Sequence, residues 1–204
     1  MTLLPTLDSS ENTIIFFAFL AYVLGSVPFG LLLVKFMKLG NIRKIGSGNI
    51  GATNVLRTGN RMAAALTLLL DAAKGAIAVL VAKSFGGDAT AQFAGLFAML
   101  GHCYPVWLFF KGGKGVATFL GVLLALNFEV GVASCATWAI VAISMRISSL
   151  SALVAVVSSV LWSLFLGEQS IIALCLILNV IVFWRHKDNI SRLVLGTEPK
   201  LSKF

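Results

Sequence analysis

Charge is what this chain has least of. Only 12% of its 204 residues are charged, against about 25% in a typical soluble domain. Too little polar surface remains to cover a globule in water, which excludes a soluble fold and predicts a single membrane domain over residues 1–204. Cysteine is also scarce. Cys103, Cys135 and Cys175 lie far apart, with no CxxC pair and no Cys/His cluster at zinc spacing. They read as small packing residues, and neither a metal nor a cofactor is expected. The N-terminus lacks the positive charge of a cleavable signal: Asp8 and Glu11 precede the first apolar run, and Lys35 and Lys38 follow it. That run is read as a retained helix with its N-terminus outside. The chain has no internal repeat, low-complexity tract or linker.

What it has in abundance is apolar runs. Seven candidate spans emerge, at about Ile14–Phe36, Met62–Ala82, Ala89–Phe110, Val116–Leu126, Val130–Met145, Leu150–Leu166 and Ile171–Trp184. The fourth is short, and with the fifth it reads equally as one bent hairpin. The predicted class is all-α and polytopic, N-terminus outside and C-terminus cytoplasmic. Threading the chain this way puts Lys35, Lys38, Arg43, Lys44, Arg57, Arg61, Lys111, Lys114, Arg146, Arg185, Lys187, Arg192, Lys200 and Lys203 inside. Only Lys83 falls outside, with Asp8, Glu11, Asp88, Glu129 and Glu168. This sorting accounts for most of the net charge of +8 without nucleic acid.

Asp71 and Lys74 break the apolar rule. Three residues apart on one helix face, they read as a locking ion pair or as functional groups. The first inner loop, Gly46–Arg57, contains GxGxxG but no preceding strand, so a dinucleotide site is rejected. Its glycines let backbone approach an anion, successive amides can form a nest, and Ser47, Asn49, Thr53 and Asn54 add donors beside Arg57. The second inner loop places Gly112, Gly113 and Gly115 around Lys114 at the start of a helix, with Lys111 adding charge. It is no Walker A loop, since Gly115 stands where Ser or Thr is needed. His102 there reads as a satisfied buried histidine or as a ligand contact. In the tail, His186 and Asn189 share a face if the last helix continues past the membrane.

At these residues the chain resembles the PlsY family, the bacterial acyl-phosphate:glycerol-3-phosphate acyltransferases. The resemblance is carried by SVPFG at 26–30, GSGNIGATNVLRTGN at 46–60, DAAKG at 71–75, GHCYPVWLFFKGGKGVAT at 101–118 and RHKDNISRL at 185–193. One departure is Asn41, where the family often has an acidic residue. The resemblance implies a seven-helix enzyme of the bacterial inner membrane, active on the cytoplasmic side and without a metal. Its substrates would be acyl phosphate and glycerol-3-phosphate. Its surroundings would be membrane lipid, and its partner the enzyme that produces acyl phosphate. The HxxxxD motif of thioester-using acyltransferases is absent.

On this reading Ser47, Gly48 and Asn49, with Gly112, Gly113, Lys114 and Gly115, hold acyl phosphate. Arg57, Lys114, His186 and Asn189 hold glycerol-3-phosphate, and Thr53, Asn54, His102, Lys111 and Thr118 line the site. Ser47, Arg57, Lys114, His186 and Asn189 form the catalytic set, with Lys114 offsetting charge on the leaving phosphate and the oxyanion. The proton acceptor is His186 or, preferred because inner carboxylates are few, the donor's own phosphate. The competing readings are a transporter of phosphate or a phosphorylated small molecule, and a structural lipid-binding protein. Transport fits only Asp71 and Lys74, because transporters bind near mid-bilayer between repeats.

Overall fold

The computed structural model of the chain describes residues 5–7 and 9–201, so Asp8 and Lys203 of the charge sorting lie outside the described residues. Among the described residues there are helices and no strand. Lipid offers backbone N–H and C=O groups no partners, so an apolar chain satisfies them within helices.

The first expected span is broken. Helix α1 (Glu11–Gly25) and helix α2 (Phe29–Phe36) are separated at Ser26–Pro28, because Pro28 has no N–H to continue the ladder. The carbonyls freed there are reused: Ser26 accepts from the Trp107 indole at 2.9 Å and Val27 from the Lys74 ammonium at 2.9 Å. A short helix α3 (Ala52–Leu56) follows.

Helix α4 (Arg61–Cys103) contains the second expected span and the third as far as Cys103, short of the expected end at Phe110. In a straight helix Asp71 and His102 would stand ~46 Å apart at a rise of about 1.5 Å per residue. Their side chains approach to 3.7 Å. The chain doubles back at Gly87, whose φ of 70° and ψ of −166° belong to a region essentially reserved for glycine.

Helices α5 (Val116–Leu126) and α6 (Phe128–Met145) meet at a sharp turn on Asn127, whose side chain accepts the Val130 N–H at 2.9 Å. Helix α7 (Ser148–Phe165) precedes α8 (Ile172–Arg185) and α9 (Lys187–Val194), the last two bent by 67°. Four stretches are long and apolar enough to cross a membrane, or five if that bent pair is one span. One of the four is Arg61–Leu108, which holds both arms of the α4 hairpin.

Packing is inverted relative to a soluble protein. Phe16, Phe19, Phe85, Ile143 and Phe165 face outward, while Ala21, Ala78, Ala82, Ala94 and Ala98 meet inside. Lipid tails are as apolar as leucine, so large side chains gain nothing by turning inward, and small ones let backbones close up. Gly121 shows the limit: a Cβ there would strike the Ala72 carbonyl.

Candidate active site

The first inner loop is shaped by Asn54, which is 1% exposed. Its amide donates to the carbonyls of Ile42 and Asn49, both at 2.8 Å. Its Oδ1 accepts from the Ser47 N–H at 3.2 Å and the Arg57 Nη1 at 3.1 Å. All four of its bonds are spent on the loop, so Asn54 positions Arg57 rather than meeting a ligand. Two of the backbone amides expected to form an anion nest are also engaged. The Gly48 N–H bonds Ile45 O at 2.9 Å and the Asn49 N–H reaches Ser47 Oγ at 3.4 Å. Among its side chains the loop offers a ligand the Ser47 hydroxyl proton, the Asn49 amide and the rest of the Arg57 fork. Asn41, the departure noted above, accepts the Arg43 N–H at 3.0 Å and caps a short turn, a task that needs no charge.

The second inner loop corrects an expectation. The Gly112 N–H bonds Cys103 O at 3.1 Å and the Gly113 N–H bonds His102 O at 3.0 Å. Their carbonyls accept from Arg185, Nη2 at 2.9 Å and Nε at 3.0 Å. Gly112 and Gly113 are buried behind the wall as loop staples; neither has an amide left for an anion. The part that reaches the cavity is Lys114 and Gly115, at the start of α5. Lys111 is exposed and off the wall, giving its carbonyl to Arg43 at 2.9 Å. Thr118 is buried and donates to Asp71 O at 2.9 Å. Gly48 is also off the wall.

The tail brings in residues the sequence did not single out as a site. The last helix does not run on: it breaks at His186, and the bend turns His186 and Asn189 toward Lys114. The Lys114 ammonium donates to Asn189 Oδ1, and the Asn189 amide donates to Glu198. Glu198 also accepts from Ser149 Oγ at 2.7 Å and Arg192 Nε at 2.6 Å. Beyond it, Leu201 and Arg146 exchange two bonds, of 2.6 and 2.7 Å, strapping the tail across the α6–α7 turn. Glu198 follows the last helix, where no periodicity points inward; the only signal was that inner carboxylates are few.

These pieces surround one cavity of about 500 Å³. Ser47, Asn49, Thr53, Asn54, Arg57, His102, Lys114, Gly115, His186 and Asn189 all reach it. Asp71, Ser149, Arg192 and Glu198 also line it, and its apolar walls include Leu68, Leu120, Cys135, Trp138 and Ala152. Three loops distant in sequence thus bring polar groups into one pocket with apolar walls, of the size small ligands occupy.

A family model described as glycerol-3-phosphate acyltransferase matches residues 15–196. The chain belongs to the glycerol-3-phosphate acyltransferase family. A relative of that name from Roseobacter denitrificans is 55% identical over 197 residues, covering 97% of this chain and 98% of the relative. Another, from Cereibacter sphaeroides, is 55% identical over 200 residues, covering 98% and 95%. Among solved structures, the glycerol 3-phosphate form of PlsY, an integral membrane acyltransferase, superposes with a TM-score of 0.88 at 36% identity, covering 93% of this chain and 96% of that one. Its lysophosphatidic acid form gives 0.85 at 35% identity. The transporter reading is overturned: the protein is a membrane acyltransferase.

The lining of the acyltransferase site carries three cations, Arg57, Lys114 and Arg192, and two carboxylates, Asp71 and Glu198. Arg57 and Lys114 have no ion-pair partner within reach among the described residues. Burial pushes the Lys114 ammonium down to about 8, against the pull of Glu198. Burial likewise lowers His186 to about 4, so its imidazole is neutral. Its Nδ1 lies 2.8 Å from Val182 O, a carbonyl that can only accept, so Nδ1 carries the proton and Nε2 is a bare acceptor. Burial opposes ionisation of Glu198, but bonds from Ser149, Asn189 and Arg192 outweigh it and hold the carboxyl below its usual range.

Proposed function

We propose that the enzyme transfers the acyl group of acyl phosphate to glycerol-3-phosphate, giving 1-acyl-glycerol-3-phosphate and phosphate, the first acylation of phospholipid synthesis. The observation that carries this is the convergence of two unpaired cations, Arg57 and Lys114, on a pocket with polar groups and apolar walls. Two phosphates and one acyl chain match those parts.

The Ser47 hydroxyl, the Asn49 amide and Lys114 hold the donor's phosphate, with its chain along Leu68, Leu120 and Ala152. Arg57, with Asn189, holds the acceptor's phosphate. The bare lone pair of His186 Nε2 repels an anion, so it meets a hydroxyl of the glycerol. That hydroxyl attacks the acyl carbonyl carbon. A C–O ester bond forms, the bond from carbon to phosphate oxygen breaks, and the hydroxyl proton ends on phosphate. Lys114 offsets charge on the oxyanion and the leaving group. Acyl phosphate is already activated, so positioning supplies much of the rate.

The proton acceptor follows from basicity. Burial lowers His186 to about 4, while the phosphate gains basicity as its bond to the acyl carbon breaks. The donor's phosphate is the better base, and His186 orients the hydroxyl.

The basic sorting supports seven crossings with the N-terminus outside, and a site facing the cytoplasm of a bacterial inner membrane. An enzyme that makes acyl phosphate is the partner this reading implies. Purified protein in detergent, given labelled glycerol-3-phosphate with palmitoyl phosphate, palmitoyl-CoA or palmitoyl carrier protein, should form lysophosphatidic acid from palmitoyl phosphate alone. Arg57→Ala and Lys114→Ala should each lower kcat/KM by about 10²–10³. Product formed equally well from palmitoyl-CoA would sink the donor assignment.

A further inference from the structure

Asp71, Lys74 and His102 have no part in the reaction above, yet Asp71 and His102 line the cavity. None of the three is more than 5% exposed. Charges at this depth persist where they pair or serve function. Lys74 is accounted for: its ammonium lies 2.8 Å from Asp71 Oδ1 and donates to Val27 O at 2.9 Å, tying α4 to the α1–α2 break. That pairing leaves unexplained why Asp71 Oδ1 also faces His102 Nδ1 at 3.7 Å across the α4 hairpin.

The opposite edge of the imidazole answers this. The His102 carbonyl accepts the Gly113 N–H at 3.0 Å, and a Cβ on Gly113 would overlap His102 Nε2. The ring is wedged between Asp71 and Gly113, with Nδ1 toward the carboxylate and Nε2 under the loop. The residue after Gly113 is Lys114, and Thr118 on the next turn donates to Asp71 O at 2.9 Å. The Lys114 segment is thus bonded at both ends to the main-chain carbonyls of His102 and Asp71, and its only contact with their side chains is the imidazole against Gly113, while Arg185 holds its carbonyls from the far side.

We propose that Asp71 and His102 are positioning residues that hold Lys114 at the reacting phosphate, through the imidazole seated beneath Gly113. The inference rests on the phosphate-holding role given to Lys114 above. Gly113 is glycine on this account because the ring occupies the place of its side chain.

The test reads Lys114 directly. The pH dependence of acetylation of Lys114 by acetic anhydride, followed by mass spectrometry, reports its pKa whether or not the variant is active. In His102→Ala and in Gly113→Ala the segment loosens, water reaches the ammonium, and its pKa rises from about 8 toward the ordinary 10.5. The charged groups facing it, Glu198, Arg192, Arg185 and Asp188, are unchanged in these variants. A displacement of about 1 Å should cost on the order of a hundredfold in kcat/KM.

The double variant His102→Ala/Gly113→Ala gives the methyl the space of the ring. It should be more active than Gly113→Ala alone, a non-additivity that a general loss of stability does not produce. Asp71→Asn/Lys74→Met removes both charges together, so that neither is left buried alone, and should raise the Lys114 pKa as well. An unmoved Lys114 pKa in these variants, or strictly additive losses in the double, overturns the proposal. Lys114→Ala is the control: activity retained there would remove the phosphate role, while the labelling still decides whether His102 positions the lysine.

Discussion

The residues of the site divide into those that can meet a ligand and those that hold them in place. Asn54 spends all its bonds on its own loop; Gly112 and Gly113 spend theirs on His102, Cys103 and Arg185. Ser47, Asn49, Arg57, Lys114, His186 and Asn189 remain as the side chains proposed to act. The sequence singled out these six from residue type and clustering, because phosphate chemistry needs donors and cations beside glycine. It overestimated the backbone, since whether an N–H is free depends on acceptors from other parts of the chain.

Two expectations follow at this scale. Lys114 must be charged to hold phosphate and is charged below its pKa, so kcat/KM should fall as pH rises through about 8. A pH–rate profile locates that limb, and Lys114→Arg should move it to higher pH. His186, lowered to about 4, stays neutral throughout this range. His186→Asn should therefore keep most of kcat and raise KM for glycerol-3-phosphate; loss of kcat alone would restore His186 as the base.

Among the elements, breaks rather than helices make the site. Pro28 ends the first helix and releases the carbonyl that receives Lys74. The break at His186 turns α9 by 67° and delivers Asn189 to Lys114. Gly87 reverses α4 so that Asp71 meets His102. Pro28 announces its break, since a missing N–H is local. The bend at His186 is not announced: no proline or glycine stands there, and the bend accompanies docking against the 112–114 loop through Arg185 and Asn189. Gly87→Ala, with a positive φ and extended ψ, should destabilise the hairpin by about 1–3 kcal/mol. A lower melting temperature in detergent would register it; an unchanged one would mean that the turn relaxes at little cost.

For the molecule as a whole, the bilayer replaces water as the solvent, and many large apolar residues turn outward, while alanines pack α1 against α4 and Phe119, Met99, Leu123 and Leu178 fill a second core. The polar residues collect at one end, opposite the Gly87 turn. The exposed Lys83–Asp88 ion pair, at 3.0 Å, marks that turn's end. Single cysteines placed at Ser84 and at Lys44 should differ in labelling by an impermeant maleimide in intact cells, Ser84 reacting and Lys44 protected. The reverse pattern would invert the orientation proposed above.

Composition and charge order sufficed to determine the solvent, the helical class and which loops belong to one pocket, because transfer to lipid and attraction of phosphate depend on residue type summed over segments. The bond partners needed the tertiary structure. Only there does Glu198, beyond the last helix, reach Asn189, Ser149 and Arg192. Only there do His102 and Cys103 claim the amides of Gly113 and Gly112. A hydrogen bond is decided over about 3 Å, and no one-dimensional pattern fixes distances between segments a hundred residues apart.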